Sequence, residues 1–413
     1  MGKVWIKSVL AAAVGFGLAG AAATAATAEW PKYLGPENTG ISTEKIAEKW
    51  PEGGPKKLWS AKVGAAYSSP VALDGTIYFF GREENEEVLT AFDADTGKVA
   101  WRDAAKVNYR VDYPGTRATP TIDGGVIYTY GGGGMVVARD LRTGKPTWTA
   151  DAIKAAGSSG LLEWGQASAP LVRGDHVIVQ AGKGGAVAVA FEKATGKVAW
   201  LSEAKGTAGY AQVVPVDVAG KPQLVVFAGE AVLGVDPATG KTLWQQPWKT
   251  SYDVNAATPV YDGKGNLFVA SGYGTGGGMF TLSAAGAEKA WGVNSKLKCK
   301  FQPPIKDGDT VYLVSEDGRG TIKAMSWPDG KINWELKDPK VGFGGSLVRV
   351  GSFLIAQAQT GEIHLIKADP KAAEKVSSFK PFEGSDKVWS MPIVYRGKLF
   401  AKGPDELVAF DIK

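Results

Sequence analysis

Eleven side chains are the best suited in this sequence to holding a ligand: Tyr67, Arg117, Trp164, Gln166, Tyr210, Gln212, Trp248, Tyr252, Asn255, Gln302 and Trp389. Aromatic faces remove large apolar areas from water, while amides and a guanidinium fix orientation, and this mixture suits recognition of a peptide or a sugar. Four carboxylates in the same kind of segment, Asp112, Glu163, Asp253 and Asp386, could instead supply the acid and base of a carbohydrate-active enzyme. That chemistry requires two of them to flank one bond.

Other reactive groups are scarce. A single cysteine, Cys299, excludes an internal disulfide framework and any multi-cysteine metal centre, and the two histidines, His176 and His364, exclude a histidine-rich one. Both histidines fall in strand-like runs and read as structural, and Cys299 reads as a partly buried thiol with no base beside it. Asp93-Ala-Asp-Thr-Gly97 looks like the start of a calcium loop, but its twelfth position is Ala104, not glutamate, so a turn is expected. The glycine runs 131–134, 182–185 and 272–278 neither precede a helix nor end in Gly-Lys-Ser/Thr, so they read as strand connections, not phosphate cradles. Arg173-Gly174-Asp175 reads as a hairpin turn, and Lys296, Lys298 and Lys300 as a solvated basic patch.

The elements that position these residues repeat. Asp93-Ala-Asp-Thr-Gly-Lys-Val-Ala-Trp101 recurs at 140–148, 192–200 and 236–244, with weaker copies ending at Trp291 and Trp334. With Trp59 before and Phe379 after, the eight end positions are separated by 42, 47, 52, 44, 47, 43 and 45 residues, the period of a four-stranded propeller blade. In phase with this, a proline opens a strand at 70, 120, 170, 215, 259, 304 and 392, with Ser346-Leu347 at the seventh unit instead. Proline cannot donate to a sheet, so it marks an edge strand. A hairpin turn follows about four residues later, as at Asp74-Gly75 and Asp307-Gly308. Each unit therefore reads as inner strand A, strand B, strand C ending before the Asp-x-x-Thr-Gly turn, and outer strand D ending near tryptophan. The expected fold is all-β: an eight-bladed propeller of four-stranded antiparallel blades. A lone D strand at 57–60 would complete the last blade, whose C strand at 407–411 has no D strand after it, and so close the ring. The 55 glycines are then turn punctuation within one ring. The three D to A connections that contain Trp164, Trp248 and Trp389 share one face around the channel mouth.

The strand C to strand D unit, Ala91-Phe-Asp-Ala-Asp-Thr-Gly-Lys-Val-Ala-Trp101, resembles the repeat of the pyrroloquinoline-quinone (PQQ)-like propellers. That family includes quinoprotein alcohol dehydrogenases and BamB-like proteins of the outer-membrane assembly machinery. The resemblance spans 57–411, and the segment Trp30–Ser42 is similar to the N-terminal part of secreted bacterial members. The dehydrogenase branch implies a quinone clamped between a tryptophan and a disulfide of adjacent cysteines, beside a calcium held by carboxylate and amide oxygens. Cys299 has no neighbouring cysteine, so that clamp is absent.

Residues 1–28 read as a secretory signal peptide: Lys3 and Lys7, an apolar run, then Ala26-Thr27-Ala28 before Glu29, with no lipid-anchor cysteine beside it. Residues 29–55 read as an N-terminal extension and 56–413 as the propeller. A formal net charge of only +5 argues against a dedicated nucleic-acid binder. A complete ring without a recognisable catalytic set points to a non-catalytic binding or assembly scaffold, periplasmic or secreted, with a protein, peptide or glycan partner on the D to A face and no cofactor. The alternatives are a quinoprotein-type oxidoreductase, using PQQ with calcium on alcohols or sugars, and a carbohydrate-active enzyme.

Overall fold

The computed structural model describes residues 1–2, 29–384 and 387–413; the expected signal peptide therefore lies almost wholly outside the described residues. Eight four-stranded antiparallel sheets follow one another as the blades of a propeller. In blade one, strand A is Val71–Leu73, B is Thr76–Glu83, C is Glu86–Asp93 and D is Val99–Lys106. B and C alternate little because both faces are covered by neighbouring blades, whereas D alternates or is exposed because it forms the rim. Blade eight takes A, B and C from Ile393–Tyr395, Lys398–Lys402 and Glu406–Asp411, and D from Lys57–Lys62 at the other end of the chain. The ring is thus closed by strand pairing, which removes the two free sheet edges an open array would leave. Regular helix among the described residues is confined to one α-helical turn and two short 3-10 segments.

The C to D turns lock each blade to the one before it. Asp93 Oδ1 accepts hydrogen bonds from the Thr96 amide at 2.8 Å and the Thr96 hydroxyl at 2.7 Å, and Asp140 does the same with Thr143. These bonds, the threonine hydroxyl first, hold both carboxyls below their usual range. The glycine that follows has φ near +70°, and its missing side chain leaves room for an indole. A Cβ on Gly144 would lie 2.3 Å from the Trp101 ring, and one on Gly196 would lie 2.5 Å from Trp148. Each indole then donates to a carbonyl of the next blade's turn: Trp59 to Ala94, Trp101 to Leu141, Trp148 to Lys193, Trp200 to Pro237, Trp291 to Pro328 and Trp334 to Asp369, at 2.9–3.1 Å.

Two positions depart from this, for one reason. Blade five turns through Ser283-Ala284-Ala285-Gly286 and offers no such socket, so Trp244 folds back and donates to Gln223 of its own blade at 2.8 Å. At the seam between blades seven and eight the C to D turn is interrupted by the chain ends. Phe379 stands there in place of tryptophan, edge-on to Trp50 and Phe410.

Segment 29–44 crosses the ring at its A to B hairpin end. Trp30 exchanges backbone hydrogen bonds with Ala72 of blade one, the Pro31 carbonyl accepts from Ile122 of blade two, and Ile41–Ser42 pairs in parallel with Arg349–Val350 of blade seven. The inner edge that takes this fifth strand belongs to the blade with Leu347 where the others have proline. Elsewhere hydroxyls beside the prolines receive edge amides from the preceding blade: Met391 to Ser69, Ser69 to Thr119 and Gln212 to Thr258. Small polar residues before proline thus satisfy the groups an innermost strand would otherwise leave unpaired.

Candidate functional site

At the opposite end, the D to A connections and B to C turns enclose a well of about 430 Å³ to which all eight blades contribute. Tyr33, from the segment that crosses the hairpin end, also lines it, so the well reaches from the D to A face down to that segment. Burial pushes the Tyr33 hydroxyl up, which keeps it neutral.

One wall is aromatic. Trp389 packs against Tyr67 at 4.9 Å, Phe301 at 5.0 Å, Tyr113 at 5.9 Å and Phe343 at 6.1 Å between ring centroids, while Trp164 faces Tyr210 at 6.0 Å. Gly344 permits this placement, since a Cβ there would come within 2.1 Å of Trp389 Cδ1. Cations lie on these rings. Arg117 is 5.0 Å from the Tyr67 centroid, Lys387 is 4.8 Å from Tyr113, and Lys300 is 4.2 Å from Phe343 and 4.4 Å from Tyr273. The Arg117 guanidinium also donates to the carbonyls of Asp112, Tyr113 and Gly115, and its burial pulls its pKa below the ordinary value. Among the described residues the lining includes three cations and no carboxylate.

Seven of the eleven residues named from sequence come together here: Tyr67, Arg117, Trp164, Tyr210, Gln212, Gln302 and Trp389. The other four are placed differently. Trp248 is buried between blades, donates to Ser271 Oγ at 3.0 Å and meets Phe227 and Phe280 edge-on. Gln166 is buried and accepts from Tyr130 and Gly182, and Asn255 donates to the carbonyls of Ala228 and Gly229 while accepting from Ser271. Tyr252 stands outside the well, 76% exposed, against Tyr273. Lining residues not singled out from sequence include Tyr33, Tyr113, Tyr273, Phe301 and Phe343. Lys300, expected to be solvated, turns into the well, whereas Lys298 pairs with Asp317 at 3.0 Å.

The remaining candidates lie elsewhere. Asp112, Glu163 and Asp253 do not line the well, Glu163 lies 3.7 Å from Lys183, and Asp386 is outside the described residues. Cys299 is completely buried, which pushes its thiol up to about 12 and leaves it protonated and unreactive at neutral pH. His364 is buried, its ring nitrogens make no hydrogen bond although Nδ1 lies 3.8 Å from a Glu362 carboxylate oxygen, and burial pulls its pKa to about 4. A calcium–quinone pair built as in the dehydrogenases does not fit the well. Calcium takes six to eight oxygens with carboxylates among them, whereas this lining offers neutral amides and hydroxyls beside three cations. The adjacent cysteines are also missing.

The family model described as "Outer membrane protein assembly factor BamB" matches residues 84–336. An outer membrane protein assembly factor BamB from Burkholderia pseudomallei is 26% identical over 337 residues, covering 78% of each chain. Among solved structures, BamB from Moraxella catarrhalis superposes with a TM-score of 0.62 at 17% identity, over 87% of this chain and 98% of its own. Quinohemoprotein alcohol dehydrogenase from Comamonas testosteroni gives 0.67 at 15% identity, over 93% and 80%. The two structural likenesses establish the propeller and leave chemistry to the residues of the well.

Proposed function

The chain belongs to the family described as outer membrane protein assembly factor BamB, and from that premise we propose that it is a non-catalytic scaffold that binds a protein partner in the bacterial cell envelope through its D to A loop face. The observation that carries this reading is the well itself: aromatic, built from every blade and, among the described residues, free of carboxylates. Such a surface can bury a partner's apolar side chains, while its described lining residues include no carboxylate pair for hydrolysis. In this reading residues 1–28 direct export and the protein works in the periplasm. Among the described residues no helix is long and apolar enough to cross a membrane, which fits a periplasmic scaffold.

Site-specific photocrosslinking in the native envelope tests it. A crosslinking side chain at Tyr252 or Trp389, on the D to A face, should give a discrete adduct with an envelope protein, and one at Asp95 or Lys197, in the C to D turns, should not. Equal yields from both faces would remove the proposed face. The quinoprotein reading is supported by the fold shared with the dehydrogenase and opposed by the donor set of the well. Dye reduction with alcohols or sugars after addition of PQQ and calcium would reinstate it.

A further inference from the structure

We infer that the well receives carboxylate side chains from an acidic peptide segment that also carries an apolar or aromatic side chain. The inference deepens the scaffold reading and rests on it. Its first support is charge. Arg117 and Lys300 line a well whose described residues include no acidic side chain, and among the described residues no carboxylate lies within ion-pairing distance of either. The contrast with Lys298, two residues away and paired with Asp317, shows that the same loop can neutralise a lysine. Lys300 instead lies over the rings of Tyr273 and Phe343. A ring face attracts the ammonium while leaving it able to bind an anion.

The second support is shape. About 430 Å³, with Tyr33 at the end away from the D to A face, holds a few side chains and not a folded domain. The third is the rim. Tyr113, Tyr252 and Tyr273 have φ of +57°, +68° and +57°, a region that bulky residues enter at a cost in backbone strain. Two of these rings, Tyr113 and Tyr252, are exposed and extend the aromatic surface beyond the well. A peptide can touch that outer surface while its carboxylates sit inside; a small anion sunk in the well would not use it.

The test is fluorescence anisotropy on the purified chain lacking residues 1–28, with a labelled peptide alternating glutamate and phenylalanine, its glutamine twin, and free phenylsuccinate as competitor. The acidic peptide should bind and weaken as salt rises, and the glutamine twin should bind at least about tenfold less tightly. Lys300→Gln removes no hydrogen bond within the described chain and should weaken binding about fivefold; adding Arg117→Gln should bring the loss past about tenfold. Lys249→Gln, which changes an exposed cation away from the well, should leave binding unchanged. Equal binding of the glutamine twin, or unchanged affinity in a Lys300→Gln protein with a native urea midpoint, overturns the inference. So does phenylsuccinate binding as tightly as the peptide, because the occupant would then be a small anion. Peptide binding is read on purified protein and the crosslink in the envelope, so a lost crosslink fails the scaffold reading and a lost peptide signal fails this inference alone.

Discussion

The two ends of the ring are built from the same eight blades by opposite rules. At the C to D end one local solution recurs: a capped aspartate, a glycine in left-handed backbone, and an indole from the preceding blade donating to the turn. At the D to A end only the small residues before the prolines recur, as at Ser69, Thr119 and Thr258. Each blade presents a different side chain to one well, from Tyr67 and Arg117 to Lys300 and Trp389. Repetition holds the ring together, and the end freed from repetition can specialise. Where the first rule loses its socket, as at Trp244 and Phe379, the side chain changes direction or identity and the ring still closes.

The largest expected effect breaks the repeated end. Trp101→Ala, Trp148→Ala and Trp200→Ala should each cost about 3–5 kcal/mol, read as a lowered urea midpoint. Unchanged midpoints in all three would mean that the sockets do not hold the blades. Gly144→Ala should cost on the order of 1–3 kcal/mol because it combines unfavourable backbone with an indole in the way. Gly174→Ala, with φ of +55° and nothing within 4 Å of the new Cβ, should cost less, and equal losses would assign the whole effect to backbone.

A smaller effect comes from His364. Its folded pKa of about 4 lies below the ordinary histidine value of 6.5, so the neutral ring is favoured in the folded state. That contribution is complete above about pH 6.5 and is lost as pH falls toward 4; His364→Leu should flatten this part of the urea midpoint–pH curve. The smallest shift is expected at the specialised end. Lys300→Gln should move the urea midpoint by no more than about 0.5 kcal/mol while changing what the well binds. A large loss of stability there would make Lys300 a packing residue and erase the contrast between the two ends.

The difference in rules explains what could be read from the chain. Capped turns, edge prolines and hairpins act over a few residues, so period, blade number and ring closure are legible in order. The membership of the well is not. Trp248 lies one residue after a D strand and Trp389 lies in a comparable connection, yet one is buried against Phe227 and Phe280 and the other faces the well. Gln166 and Asn255 look like ligand-binding amides in sequence, but neighbouring blades engage them in backbone hydrogen bonds. Lys298 and Lys300 are alike in composition and differ only in whether Asp317 is within reach.

By itself, the sequence determined the all-β class, the eight-unit ring and its seam, because each rests on local backbone chemistry repeated in phase. Only the tertiary structure decided which aromatics and cations share one space, that Tyr33 reaches it from the far end, and that no carboxylate among the described residues lines it. Those facts depend on residues hundreds of positions apart meeting around an axis, and no local pattern along the chain encodes such a meeting.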